Sequence, residues 1–235
     1  RLIDDPDFWD ALVHTLTFIA GYVPLVMVLA LLLALALNAR LRGIAVLRTA
    51  FFVPVVSSWV AVALLWSWLF NPKYGLVNYL LDQIGIAGPG WLFDRSWAMP
   101  AIVLTSVWKD LGFVMVLFLA GLQAIPADYY EAAALDGAGG FERLRSITLP
   151  LLAPTTFFVT VISIINSFQV FDQVWVMTEG GPAGATTVIG ERVVKHAFSY
   201  GEMGYAASLS WVLFALVFVV TLVQLRWQRR SAFDA

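Results

Sequence analysis

The residues of this chain that could perform enzymatic chemistry are few and scattered. The sequence has no cysteine and two histidines, His14 and His196, which lie in separate segments. A thiolate nucleophile and a cysteine-based metal site are therefore excluded. Aspartates stand at positions 4, 5, 7 and 10, where a solvated acidic end is favoured over a catalytic cluster. No G-x-x-x-x-G-K-S/T phosphate loop occurs, so any ATP hydrolysis is expected on another polypeptide. We predict no catalytic residue and no metal site in this chain.

Polar side chains inside long apolar stretches are more informative. Residues 98–123 contain the adjacent pair Lys109 and Asp110. Neighbours at i and i+1 do not face each other on a helix, so the two charges are expected to have different partners. We predict that Trp108 and Lys109 either contact a solute or hold a gate. Structural pairing of Lys109 with another helix is an equal alternative.

A second polar set recurs at helical spacing in and just beyond residues 151–171. At about 3.6 residues per turn its members fall within an arc of roughly 140°, interrupted by Val159. They are Thr156, Thr160, Ser163, Asn166, Ser167 and Gln173. Gln169 is predicted just beyond the edge of this arc, and Asp172 is predicted to point away from it.

Polar groups within a membrane are unfavourable unless they face a cavity or a partner. We therefore predict that this arc lines a solute path and hydrogen-bonds hydroxyl groups. Packing between helices is the alternative, because Ser and Thr are common at such contacts. The amides of Asn166, Gln169 and Gln173 are the strongest candidates, since amides are harder to satisfy locally.

Long apolar helices must position these groups. Of the 235 residues, 60% are hydrophobic and 13% are charged, against about 25% charged in soluble domains. Five stretches reach the roughly 20 residues that cross a bilayer: 11–37, 49–70, 98–123, 151–171 and 205–225. They are continuously apolar, unlike β-barrel strands. The predicted fold is an all-α integral membrane protein with five spanning helices and one transmembrane domain over residues 1–235.

Basic residues mark one side of this predicted bundle. They follow the first helix, the third helix and the last helix, at Arg40, Arg42 and Arg48, at Arg143 and Arg145, and at Arg226, Arg229 and Arg230. The positive-inside rule makes these three segments cytoplasmic, with the C-terminus inside. Arg1 is then outside, which predicts a further helix before it. The net charge of −2 gives no general attraction to nucleic acid.

The cytoplasmic segment 125–154 has the residues of a helix–turn–helix unit. Pro126 favours a helix start, and Gly137 is predicted to end that helix. A second short helix is predicted over residues 141–148, ending before Pro150. Exposed aromatic and charged side chains favour a docking site for another protein. An amphipathic connector resting on lipid is the alternative.

This segment resembles the EAA loop of permease subunits from bacterial ABC importers, with the pattern E-A-A-x-x-D-G-A, a gap, and I-x-L-P. The matching residues are Glu131, Ala132, Ala133, Asp136, Gly137, Ala138, Ile147, Leu149 and Pro150. Many carbohydrate-importer permeases have Trp and Phe in the gap, where this chain has Phe141 and Leu144. Residues 51–78, 107–126 and 167–182 resemble the same subfamily, and the resemblance extends over about residues 6–230. His14 stands where the subfamily more often has Asn.

The resemblance implies a six-helix type I importer core whose first helix precedes Arg1. It also implies a second permease subunit, in a heterodimer or a homodimer with the heterodimer favoured, two ATPase subunits that hold ATP and Mg²⁺, and an extracytoplasmic solute-binding protein. Segment 125–154 would lie in a cleft of the ATPase. The expected coupling residues are Glu131, Ala132, Ala133, Asp136, Gly137 and Arg143. Among them Glu131 is a polar contact, Gly137 sets the turn, and Asp136 caps the second helix or bonds within the turn.

The expected function is ATP-driven import of a sugar or related hydroxyl-rich solute across the bacterial inner membrane by alternating access. Import of glycerol-3-phosphate or glycerophosphodiesters by the same machine is the first alternative. A phosphorylated solute favours cationic groups along its path, and Lys109 is the only cation in a predicted span. A stand-alone secondary transporter would carry more intramembrane acids or internal repeats. A membrane-embedded transferase would need clustered catalytic groups.

Overall fold

The computed structural model describes residues 2–38 and 43–233, with side chains up to Arg226. Arg40, Arg42 and the side chains of Arg229 and Arg230, which support the predicted orientation, lie outside this part. Within it, all regular structure is helical. The helices are α1 Pro6–Leu37, α2 Ile44–Val56, α3 Trp59–Leu69, α4 Leu76–Gln83, α5 Ala98–Gln123, α6 Ala127–Leu135, α7 Gly140–Arg143, α8 Leu149–Leu151, α9 Ala153–Phe168, α10 Asp172–Met177, α11 Ile189–Val194 and α12 Met203–Phe233.

Helix α1 is the longest element and contains the whole of the first predicted span. Asp5 caps its N-terminus by accepting a hydrogen bond from the backbone N–H of Asp7, and Pro6 occupies a first-turn position that needs no N–H donor. The small residues Ala30 and Ala34 are fully buried, and α1 packs along α5.

Helix α5 lies at the centre of the bundle, against α1, α2 and α9, and has the bounds predicted for the third span. Two glycines allow this close packing. A Cβ atom at Gly112 would overlap the backbone carbonyl of Phe51, and one at Gly121 would lie 2.9 Å from a methyl group of Leu152. Small residues permit such backbone approach between membrane helices.

The second predicted span is not one straight helix. Helices α2 and α3 meet at an angle of 101°, because Ser57 and Ser58 adopt extended backbone with ψ of 145° and 139°. The ammonium of Lys109 donates to the carbonyl of Val55 at 3.1 Å. This bond satisfies one of the carbonyls that the end of α2 leaves without a helical partner.

The fourth predicted span also differs from expectation. Its helix α9 begins after Leu152, where the chain bends by 62°, and ends at Phe168. The predicted end of the preceding helix before Pro150 is wrong. A π-helical turn over Leu144–Thr148 continues into α8, whose first turn accommodates proline because no N–H is needed there.

Three helices are long and apolar enough to cross a membrane: Pro6–Leu37, Ala98–Gln123 and Met203–Arg226. The bent pairs α2–α3 and α7–α9 raise this to as many as five if each pair forms one span. The described part of the chain is therefore an all-helical bundle with three to five candidate spans.

Candidate functional site

A cavity of about 310 Å³ opens between α1, α3, α5, α9 and α10. Three aromatic side chains form one part of its wall: Phe18, Tyr22 and Trp59. Polar groups come from α5 and from the chain between α9 and α10: Ser106, Asp110, Asn166, Ser167, Gln169, Asp172 and Gln173. An aromatic wall facing amides and hydroxyls is suited to a small polar ligand.

Tyr22 and Asp110 connect the two central helices at the cavity wall. The Tyr22 hydroxyl donates to a carboxylate oxygen of Asp110 at 2.8 Å, and the Phe18 ring stacks on Tyr22 with centroids 5.4 Å apart. Sequence reasoning missed Tyr22. The available signal was a lone tyrosine in an apolar helix, which requires a hydrogen-bond partner.

Gln173 lies on α10 and reaches back to α5. Its amide Nε2 donates to the hydroxyl of Ser106 at 3.2 Å, and both residues are buried. The two helices are thereby joined beside the cavity. Ser106 was also absent from the predicted path, although it stands one helical turn before Asp110.

Two amides at the cavity are open to a ligand. The side chains of Asn166 and Gln169 are exposed, line the cavity and make no hydrogen bond to any other described residue. Ser167 lines it as well, but its hydroxyl donates to the carbonyl of Ser163 at 2.5 Å. Asn166 and Gln169 therefore keep their full donor and acceptor capacity.

The break after α9 corrects the predicted position of Asp172. A continuous helix would turn Asp172 away from the polar arc. Instead α9 ends at Phe168, and Phe171, with φ −150° and ψ −61°, redirects the backbone into α10. Both Gln169 and Asp172 consequently line the cavity.

Ser163 and the two threonines of the predicted arc lie away from the cavity. Ser163 is buried and its hydroxyl has no partner among the described residues. Thr160 donates to the carbonyl of Thr156 and lies 3.4 Å from the sulfur of Met27 on α1. Thr160 therefore contacts α1, as expected from the alternative that the arc packs helices together.

Trp108 and Lys109 are likewise not part of the cavity wall. Trp108 is partly exposed and packs edge-on against Trp66. Lys109 is buried, bonded to Val55 and placed 4.8 Å from the centre of the Trp59 ring. Lys109 and Asp110 thus have different partners, and Lys109 pairs structurally with the α2–α3 bend.

A second polar cluster, missed by sequence reasoning, joins the start of α1 to α11 and α12. Arg192 forms ion pairs with Asp5 and Asp7 at 3.0 Å each, and Tyr205 donates its hydroxyl to Asp5. Burial alone would raise the pKa of Asp5. The hydrogen bond from Tyr205 and the charge of Arg192 outweigh burial and hold that pKa below its usual range.

The segment 125–154 forms two helical parts around a turn. Gly137 has a φ of +80° and follows α6, as predicted, because glycine adopts this left-handed conformation without strain. The hydroxyls of Tyr130 and Thr148 lie 3.0 Å apart, and Arg143 donates to the carbonyl of Ala138 at 2.8 Å. These contacts fix the second part against the first.

The solvent-exposed surface of segment 125–154 combines apolar and acidic side chains. Leu135 is 90% exposed and Phe141 is 76% exposed, and Glu131 and Asp136 are exposed as well. Ala132 is also exposed, whereas Ala133 is half-buried. The expected local role of Asp136 is not observed. Its carboxylate bonds to no other described residue, and no side chain caps α7.

The described residues include no group of three or more His, Cys, Asp or Glu side chains suited to hold a metal ion.

Residues 6–232 match the family described as binding-protein-dependent transport system inner membrane component, and the chain belongs to this family. It is 40% identical to the trehalose/maltose transport system permease protein MalF of Thermococcus litoralis over 226 residues, covering 96% of this chain and 76% of that protein. It is 39% identical to the lactose transport system permease protein LacF of Rhizobium radiobacter, covering 95% and 77%. It is 36% identical to the sn-glycerol-3-phosphate transport system permease protein UgpA of Brucella abortus, covering 96% and 77%.

The fold agrees with that of a solved importer. A bacterial ABC transporter involved in the import of the acidic polysaccharide alginate has a TM-score of 0.88 at 26% identity, covering 97% of this chain and 81% of that chain. A bacterial alginate ABC transporter in complex with alginate pentasaccharide-bound periplasmic protein has a TM-score of 0.89 at 26% identity, covering 97% of this chain and 81% of that chain. The chain is thus a membrane-embedded permease subunit of an ABC importer, which confirms the class predicted from the EAA-like segment.

Proposed function

We propose that this permease moves a sugar or a related hydroxyl-rich solute inward through the cavity by alternating access. The observation that carries the proposal is the pair of unbonded amides, Asn166 and Gln169, which face an aromatic wall containing Trp59. A sugar hydroxyl both donates and accepts hydrogen bonds, as an amide does. The apolar C–H face of a sugar ring suits an aromatic side chain.

The names of the relatives support a carbohydrate and leave one alternative. MalF and LacF are named for trehalose/maltose and lactose transport. UgpA is named for sn-glycerol-3-phosphate transport, so import of that compound or of glycerophosphodiesters is the second candidate. Both candidates use the same machine and the same path.

We further propose that segment 125–154 transmits the conformational change of the ATPase subunits to the membrane helices. Its exposed Leu135 and Phe141 offer apolar contacts, and Glu131 offers a polar one. A surface of this composition is suited to a protein cleft. Two ATPase subunits would bind ATP and Mg²⁺, and a second permease subunit, different from this one, would complete the path. The solute-binding protein seen with the alginate importer supports an equivalent partner here.

The proposed topology has five spans in this chain, with each bent pair crossing once. Segment 125–154 and the C-terminus then lie in the cytoplasm, and α4 and α11 lie outside the inner membrane. The basic residues on the proposed cytoplasmic side that the structure describes, including Arg143, Arg145 and Arg226, support this orientation.

The test is solute uptake by the assembled complex in proteoliposomes. The double variant Asn166→Leu with Gln169→Leu removes the two free amides from the cavity. We expect uptake to fall at least about fivefold, since two lost hydrogen bonds to a ligand are together worth about 1–3 kcal/mol. Gln83→Leu, an exposed amide on α4, is the matched control. Normal uptake by a fully assembled double variant would refute the path.

A further inference from the structure

We propose that the cavity selects by charge: Asp110 and Asp172 favour a neutral polyhydroxylated solute and exclude phosphorylated or carboxylated sugars. The inference rests on the proposed function, because it takes this cavity as the solute path. It goes further by choosing between the neutral and the anionic solutes for which the relatives are named.

The described residues that line the cavity carry two acids and no base. Asp110 belongs to the wall formed by α5, and Asp172 begins α10 at the same cavity. Neither Lys, Arg nor His is among the lining residues. Any negative charge on the wall is therefore uncompensated by a cation of this chain.

Lys109 is next to Asp110 in sequence, but its ammonium binds groups that lie outside the polar part of the cavity wall. It donates to the Val55 carbonyl and lies against the ring of Trp59, which is itself a wall residue. The attraction of an ammonium for an aromatic face and for a carbonyl holds it in place. The one cation of α5 thus stabilises the α2–α3 bend and leaves the cavity without a positive group.

The physical consequence differs for neutral and anionic solutes. A phosphate or carboxylate that gives up hydration to bind the wall needs cationic or multiple N–H partners in place of the lost water. Here it would meet carboxyl groups. A neutral sugar can donate hydroxyls to Asp110 and Asp172 and accept bonds from Asn166 and Gln169. This chemistry matches the sugars named for MalF and LacF, and it disfavours glycerol-3-phosphate and acidic polysaccharides.

The absence of cysteine from the sequence allows a direct measurement of the cavity potential. Asn166→Cys places a single thiol on the wall in the assembled complex. Its rates of modification by a cationic trimethylammonium-ethyl and an anionic sulfonatoethyl methanethiosulfonate are measured on the isolated permease band. Ala87→Cys, in an exposed loop, gives the reference ratio of the two rates.

We expect the cationic-to-anionic rate ratio at position 166 to exceed that at position 87 by about tenfold or more, because clefts lined by one sign of charge concentrate the opposite ion. Asp110→Asn and Asp172→Asn should each reduce that ratio about threefold or more. The exposed Asp172 provides a variant that does not disturb the Tyr22 bond. Equal ratios at the two positions, or a ratio unchanged in both Asn variants, would overturn the charge selection.

A separate readout distinguishes failure of this inference from failure of the proposed path. Asn166→Cys loses one of the two free amides and should keep part of the uptake, since one hydrogen bond contributes about 0.5–1.5 kcal/mol. This remaining uptake of the sugar carried by the binding protein is measured before and after the thiol is modified by a neutral methanethiosulfonate. Blocked uptake with equal charge ratios would refute the charge selection alone. Uptake that continues after complete modification would refute the path, and the charge selection with it.

Discussion

Asp5 is predicted to fasten the start of α1 to α11 and α12, and Asp5→Asn tests this. The carboxylate of Asp5 accepts bonds from Arg192, Tyr205 and the backbone of Asp7. An Asn keeps one acceptor oxygen but loses the charge. Hydrogen bonds to charged groups contribute about 1.5–3 kcal/mol and neutral ones about 0.5–1.5 kcal/mol. The expected loss is about 1–2 kcal/mol, because Asp7, which is largely exposed, still pairs with Arg192.

This loss should lower the unfolding temperature by roughly 2–8 °C, at about 2–4 °C per kcal/mol for a chain of this size. The assay is thermal unfolding of the purified complex in detergent at pH 7. Asp10→Asn is the matched control, since it removes the same charge from a side chain that bonds to no other described residue, and it should change little. Equal destabilisation by the two variants would refute the reasoning.

The contribution of Asp5 to stability should depend on pH, in the direction set by the shift of its pKa. The pKa of Asp5 is lowered in the folded protein, so its stabilisation is complete well above its ordinary value of 3.8 and is lost as the pH falls through the lower folded value. The temperature gap between wild type and Asp5→Asn should be constant from pH 6 to pH 8 and should narrow below about pH 4. A gap that widens on acidification would contradict the assignment.

Three further variants test the helix contacts. Gly137→Val should uncouple ATP hydrolysis from uptake while the complex still assembles, because valine resists the φ of +80°. Gly139→Val, at a φ of −72° in open space, is the control and should retain coupling. Equal uptake per ATP hydrolysed by the two variants would contradict the prediction. Gly112→Ala should prevent accumulation of the folded permease, since its Cβ overlaps the backbone of Phe51, and a normal yield on fluorescence-detected size exclusion would refute that contact. Lys109→Met should lower the unfolding temperature through loss of about 1–2 kcal/mol without altering solute selectivity, whereas altered selectivity would return Lys109 to the solute path.

Sequence reasoning identified the long helices well because their signal is cumulative. Apolar composition over 20 or more residues predicts α1 and α5 within a few residues. The turn at Gly137 was equally predictable, since a glycine after an alanine-rich helix is a common helix end. The EAA-like pattern of segment 125–154 was recognisable for the same reason, because it is local in sequence.

The breaks inside apolar stretches could not be predicted from composition. Hydropathy does not distinguish a straight helix from two helices that meet at Ser57–Ser58, and the bend is stabilised by Lys109 from another helix. The same limit explains the error at Asp172, because helical periodicity was extended across the break at Phe171. Pairings distant in sequence, such as Tyr22 with Asp110 and Asp5 with Tyr205, depend on the tertiary packing of the helices.

The central claim is that segment 125–154 contacts a separate ATPase subunit inside the cell. The most direct measurement is crosslinking from Leu135→Cys, carrying a maleimide–benzophenone probe, in the complex purified without detergent exchange. We expect a crosslink from position 135 to a protein with a nucleotide-binding phosphate loop, and none to that protein from Ala87→Cys. A crosslink from position 135 to the solute-binding protein would contradict contact between segment 125–154 and the ATPase. So would the absence of any crosslink from position 135 together with a crosslink from position 87 to the ATPase.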